Sequence, residues 1–179
     1  MVLQTEERKL FFKNWLKLLS FVNDKHGIVP NFGHPESPVG LDIQKVAKIR
    51  NKLWENTSII DEYIKRSKLD ITESSLVNSW KIYVKTNFLI FRELKNYCIF
   101  WDLKKNDLYG VIGITSRMSD TVSFLPYMAE TVLIPFKDRI IYDGLLAGKN
   151  LSFGGNLKKS LNEEYSEIKK KKGIILELK

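Results

Sequence analysis

Apolar positions recur at helical spacing over the first part of the chain. From Thr5 to about Lys25, Leu10, Phe11, Trp15, Leu18, Leu19 and Val22 fall on one broad face, which Phe12, Leu16 and Phe21 widen. The pattern predicts a first helix packed on two sides. Glu6 and Glu7 stand in its first turn, where the helix dipole favours acids, and His26-Gly27 ends it. Ile28–Gly40, with Pro30, Pro35, Pro38, Gly33 and Gly40, reads as a loop. Asp42 to about Glu55 predicts a second helix, with Ile43, Val46, Ala47, Ile49 and Leu53 facing inward and Lys45, Lys48, Arg50 and Lys52 on its other sides. A short third helix carries Ile59, Ile60, Tyr63 and Ile64, and its start resembles a capping box made by Ser58 and Asp61. A fourth opens at Thr72, with Leu76, Val77, Trp80 and Tyr83 as its stripe. Helices this short bury their faces only by packing on each other and on the remainder of the chain.

Around Val84 the period changes from helical to strand-like. Phe88–Phe91, Tyr97–Trp101 and Leu108–Thr115 predict three strands, joined by polar turns at Arg92–Asn96 and Lys104–Asp107. Gly110 and Gly113 suggest a bulge or sharp bend in the third. Arg117–Met128 reads as a crossing loop. The stretch Thr131–Gly144 then supplies two antiparallel strands, Val132–Phe136 and Ile140–Tyr142, around the charged corner Lys137-Asp138-Arg139. Pro135 lacks a backbone donor, which places its strand at an edge or a bulge, where self-pairing between copies would be open to it. Leu151–Phe153 predicts a short further strand. Gly154-Gly155-Asn156 leads into a last helix, Leu157 to about Lys171, with Asn156 as its N-cap. Gly173 stops that helix, and Ile174–Leu178 reads as a last strand or docked tail.

The fold class expected is therefore α+β: a helical part over residues 1–83, then over residues 84–179 a five- to six-stranded antiparallel sheet or small SH3- or OB-like barrel with a C-terminal helix. No flexible linker separates the two, so one shared core is expected. The 179 residues suffice for that core without a disulfide or metal staple, and 44% hydrophobic residues supply it.

The formal net charge is +8. The excess is spread as +3 over residues 1–83, +2 over 84–150 and +3 over 151–179, and Lys169–Lys172 is the one basic run. Such a balance admits a nucleic-acid or anionic partner without demanding one. The single cysteine, Cys98, sits in the apolar run Tyr97–Trp101 and reads as a small core residue of a reducing compartment. No stretch reaches the length of a membrane span, and charges occupy the place of a signal-peptide core, so a cytoplasmic protein without membrane contact is expected.

Candidate chemistry is sparse. Phe153–Ser160 places two glycines before a helix start, followed by Lys158 and Lys159, an arrangement suited to an anion but matching neither a Walker loop nor G-x-G-x-x-G. Lys137 and Arg139 would be presented at a hairpin tip. Lys104 and Lys105 lie beside Tyr97, Phe100, Trp101 and Tyr109, which could stack on a single strand or else fill a barrel core. The candidate anion or nucleic-acid set is thus Lys104, Lys105, Lys137, Arg139, Gly154, Gly155, Lys158 and Lys159. His26, His34 and Glu36 have no ligand spacing, no G-x-S-x-G elbow is present, and no paired carboxylates separate an acid from a base, so no metal, cofactor or catalytic residue is assigned.

Three segments carry a resemblance: Lys48–Trp54, Thr131–Lys137 with Ile140–Gly144, and Phe153–Tyr165. Together they resemble a family of uncharacterised prokaryotic proteins in which a helical part precedes an LPFK-x-x-IIYDG-like segment. The resemblance implies a cytoplasmic prokaryotic protein and carries over no site. Sequence alone points to a non-catalytic binding or regulatory protein that engages another protein, the alternative being a nucleic-acid-binding module on a basic, aromatic-bearing barrel.

Overall fold

The structure is a computed structural model and describes residues 1–149 and 154–179. The strand expected at Leu151–Phe153 lies outside them. The protein is α+β. Its chain forms two compact units, Gln4–Lys81 and Met1–Leu3 with Ile82–Lys179.

The first unit is helical: α1 (Thr5–His26), α2 (Ile43–Glu55), α3 (Ser58–Arg66) and α4 (Ile71–Ser79). Its core is aromatic. Trp15 stacks near Trp54 with centroids 5.9 Å apart and meets Trp80 edge-on at 5.7 Å. Phe11 reaches the same Trp80 at 6.0 Å. Local chemistry sets the helix starts. Asp42 caps α2 by accepting from the N–H groups of Gln44 and Lys45, and Asp70 forms a capping box with Glu73 at α4. Gly27 ends α1 at φ 60°, a left-handed position that suits glycine.

Three expectations fail here. The capping box expected of Ser58 and Asp61 is absent, because Thr57 occupies the cap and Ser58 is already helical. Ile43, expected inward, is 67% exposed at the first position of α2, directly after the Asp42 cap. Arg50, expected on the outer face, is buried, and its Nη1 donates to Asn51 Oδ1 at 3.0 Å.

The second unit is a barrel. Its strands are β1 (Val84–Glu93), β2 (Cys98–Asp102), β3 (Asp107–Ile112), β4 (Tyr127–Phe136), β5 (Arg139–Tyr142) and β6 (Ala147–Lys149), with a short helix α5 (Met118–Thr121) before β4 and α6 (Gly155–Lys172) at the end. The strands run β1-β2-β3-β5-β4, and β4 pairs back on β1, which closes five strands; β6 adds to β4. The closure corrects the all-antiparallel expectation, because Val111–Ile112 of β3 pair in parallel with Ile140–Ile141 of β5. Of the two barrel types expected, this Greek-key closure is the OB-like one. The Pro135 strand is not an edge over most of its length: β4 pairs with β1 on one side and with β5 and β6 on the other, although the β1 pairing ends at Leu133 and Pro135, which is buried, pairs only with Ile140 of β5.

Strand alternation sorts the side chains into two layers. Phe88, Phe100 and Tyr109 cluster together, with Phe88 6.0 Å from Phe100 and 5.8 Å from Tyr109. Leu89, Ile99, Trp101 and Leu108 form the other layer, and Leu161, Tyr165 and Ile168 of α6 pack on it. Burying those three side chains contributes roughly 6 kcal/mol at about 2 kcal/mol each. The tail beyond α6 docks as expected: Ile175 bridges Tyr109, donating to Leu108 O at 2.8 Å and accepting from Gly110 N at 2.9 Å.

Of the bulge or sharp bend expected in β3, no bulge appears in its pairing with β2, and the bulge lies instead in β1. Ile90 pairs with Phe100 and Arg92 with Ile99, so Phe91 is the extra residue. As a result both Phe91 and Arg92 reach Tyr165 of α6. Gly110 has another role, since a Cβ there would stand 2.6 Å from Leu176 of the tail.

Candidate functional site

The eight residues of the anion set divide between the two ends of the barrel. β2 runs antiparallel to β3, β3 parallel to β5, and β5 antiparallel to β4. The turn after β2 and the turn after β4 therefore open at the same end. The first carries Lys104 and Lys105, and the second carries Lys137 with Arg139 directly after it. The C-terminal end of α6 arrives there too: Lys172 Nζ reaches Lys105 O at 2.8 Å and Asp107 Oδ1 at 2.9 Å. That contact brings the exposed Lys169, Lys170 and Lys171 alongside.

The acids at this end are already engaged. Asp102 is buried, and its Oδ1 accepts from Lys104 N at 3.0 Å, which fixes the first turn. Asp107 holds Lys172, and Asp138 lies 3.5 Å from Arg139 Nε. Lys104, Lys105 and Lys137 are exposed and Arg139 is half-buried. The second turn is two residues long, and Lys137 occupies it at φ 56°. Glycine serves such a position without the steric cost a side chain incurs there. The chain thus sets a cation on strained backbone at the tip.

Gly154, Gly155, Lys158 and Lys159 lie at the opposite end, beside the close of β1, where Lys158 and Asn162 share a groove with Arg92. Asn156 is not the cap of α6. Gly154 takes the extended cap conformation, φ −67° and ψ 164°, and makes no side-chain cap bond, so Gly155 opens the helix. Some 21 Å of helix separate Lys158 from Lys172 at about 1.5 Å per residue. One ligand surface cannot be assembled from all eight residues without following α6 along its length.

The aromatic candidates do not form a stacking platform. Phe100, Trp101 and Tyr109 are buried, and Tyr97 is half-buried beside Gly110. Burial, with Asp107 and then Asp102 nearby, pushes the Tyr109 hydroxyl up to about 12. Cys98 is a buried core thiol whose Sγ faces Arg92 O at 3.3 Å, and burial first and the nearby Glu93 second push it far above the range of a reactive cysteine. His34 lies in the exposed loop 3.6 Å from Asp24. Among the described residues, no three His, Cys, Asp or Glu side chains come together as a metal site, and no helix is long and apolar enough to cross a membrane.

The run Lys169–Lys172 stands outside the set of candidate residues drawn from sequence, and Arg92 reads there only as a turn residue. The first could have been found from its place in the last turn of a helix, where cations face the negative end of the dipole. For Arg92 no signal existed, because the bulge at Phe91 that positions it comes from strand pairing. No protein-family model, curated protein or solved structure matches this chain.

Proposed function

We propose that the barrel unit is a non-catalytic binding module for the nucleic-acid backbone, held at the end that carries Lys104, Lys105, Lys137, Arg139 and Lys169–Lys171. One observation carries the reading: three segments distant in sequence, the β2–β3 turn, the β4–β5 turn and the end of α6, bring their cations to one end while the acids there are held in turns and ion pairs. The OB-like closure supports it by analogy, since barrels of that kind bind oligonucleotides, although fold does not fix function.

The burial of Phe100, Trp101 and Tyr109 and the cover of α6 over the β1–β3 face argue for phosphate contacts rather than base stacking. Binding on this reading is indifferent to base sequence. The double variant Lys104→Glu/Lys137→Glu tests it: affinity for a 20-base-pair duplex at low salt falls at least about tenfold, whereas Lys158→Glu/Lys159→Glu changes it little. Equal effects of the two pairs would leave the barrel end with no special part in binding.

A further inference from the structure

The other end of the barrel holds a second cationic feature of different build. Phe91, Leu94, Leu125 and Pro126 wall an open groove of about 460 Å³, and Arg92 and Lys158 supply its cations. Its size suits a small organic ligand.

Arg92 is the informative residue. Its guanidinium carbon lies 4.6 Å from the Phe91 centroid and 4.7 Å from the Tyr165 centroid. The group therefore sits in the corner between two rings, and Asn162 Oδ1 accepts from its Nη2. No carboxylate among the described residues pairs with it. The one acid lining the groove among the described residues, Glu93, is engaged elsewhere: its Oε2 accepts from the backbone N–H groups of Met118 at 3.1 Å and Ser119 at 3.3 Å, and its Oε1 lies 3.7 Å from the Met1 amino group. Lys158, exposed on the same groove, has no side-chain partner among the described residues. An arginine with five donors, held against two rings and using one donor on a neutral amide, is preorganised for a forked oxyanion.

We propose that this groove binds a small phosphate monoester, with the phosphate on Arg92 and Lys158 and an apolar body against Phe91, Leu94, Leu125 and Pro126. Two cations without a carboxylate partner match the two charges of a phosphomonoester better than the single charge of a carboxylate. The site is separate from the basic end of the barrel and does not depend on the reading of that end.

The test is an NMR titration of the full chain with phenyl phosphate, beside inorganic phosphate, benzoate and benzyl alcohol. Phenyl phosphate is expected to shift the amide signals of Arg92, Leu94, Lys158 and Asn162 and to bind several-fold tighter than the other three. Arg92→Lys, which keeps the charge and loses the fork, should weaken it about tenfold. Lys158→Ala removes an exposed side chain, so the fold is kept, and should weaken it about threefold while duplex binding stays as in wild type. Shifts centred elsewhere, or affinities unchanged within twofold in both variants, overturn the proposal. So does inorganic phosphate binding as tightly as phenyl phosphate, which would remove the apolar walls from recognition, or benzoate binding more tightly, which would remove the phosphate.

Discussion

Arg92 lies with its guanidinium carbon 4.7 Å from the centroid of the Tyr165 ring, and this contact ties the first barrel strand to the C-terminal helix. The bulge at Phe91 makes it possible. Tyr165 also tilts onto Phe91 at 5.2 Å and is buried, so it is the central anchor of α6. Tyr165→Ala should cost about 3 kcal/mol of stability in urea unfolding, and Arg92→Ala about 1 kcal/mol, the value of a partly exposed cation–π pair. A smaller effect for Tyr165→Ala than for Arg92→Ala would show that the helix is held chiefly by other contacts.

In the helical unit, Lys13 pairs with the buried Glu73, which also accepts from Asp70 N at 3.4 Å in the capping box. The hydrogen bond from Lys13 holds the Glu73 carboxyl below its ordinary value, against a smaller opposing effect of burial. At mildly acid pH the folded state therefore binds fewer protons at Glu73 than the unfolded state does. The stabilisation is fully present above about pH 5 and is lost as pH falls through the depressed folded value. Glu73→Gln should remove about 1 kcal/mol near pH 7 and flatten the decline below about pH 4.5, read by denaturant unfolding across pH. An unchanged acid limb in the variant would mean that other carboxylates set it.

Gly113 meets the backbone carbonyl of Ser116, and a Cβ there would also stand 3.3 Å from Val2 Cγ1. Its own N–H donates to Met1 O at 3.2 Å, and Leu3 N donates to its carbonyl at 3.0 Å. Gly113→Ala should thus cost about 2 kcal/mol as an overpacked site next to backbone that cannot yield. Thermal unfolding checks this, with no loss of stability as the contrary outcome.

Much of the fold was legible because the periods were unambiguous. The α1 stripe from Leu10 to Val22 and the paired runs Val132–Phe136 and Ile140–Tyr142 are read correctly from spacing alone. Legibility failed where pairing overrides pattern. Phe88–Phe91 is apolar throughout, so nothing in it marks Phe91 as an extra residue. Arg50 looks like its neighbours Lys48 and Lys52, yet packing buries it. The cations at the barrel end were visible one by one, but their convergence depends on the parallel β3–β5 pairing, a contact between segments far apart in sequence.

Lys137 links stability to the proposed function with opposite signs. Its φ of 56° favours glycine, so Lys137→Gly should raise stability by about 0.5 kcal/mol. The same variant loses one phosphate contact, so the slope of log affinity against log salt on duplex DNA should fall in magnitude by about 0.9. Gain in one measure with loss in the other identifies the strain as serving the ligand; gain in stability with an unaltered slope would assign Lys137 to the turn alone.

The most direct measurement is fluorescence anisotropy of the full chain with a labelled duplex over a salt series, repeated with two unrelated base sequences. The barrel end offers Lys104, Lys105, Lys137, Arg139 and Lys169–Lys171. If about five of them meet phosphates, the slope should lie near −4.5, the same for both sequences. A slope near zero, or no binding at low salt, would contradict the account and leave the basic end as ordinary solvated surface.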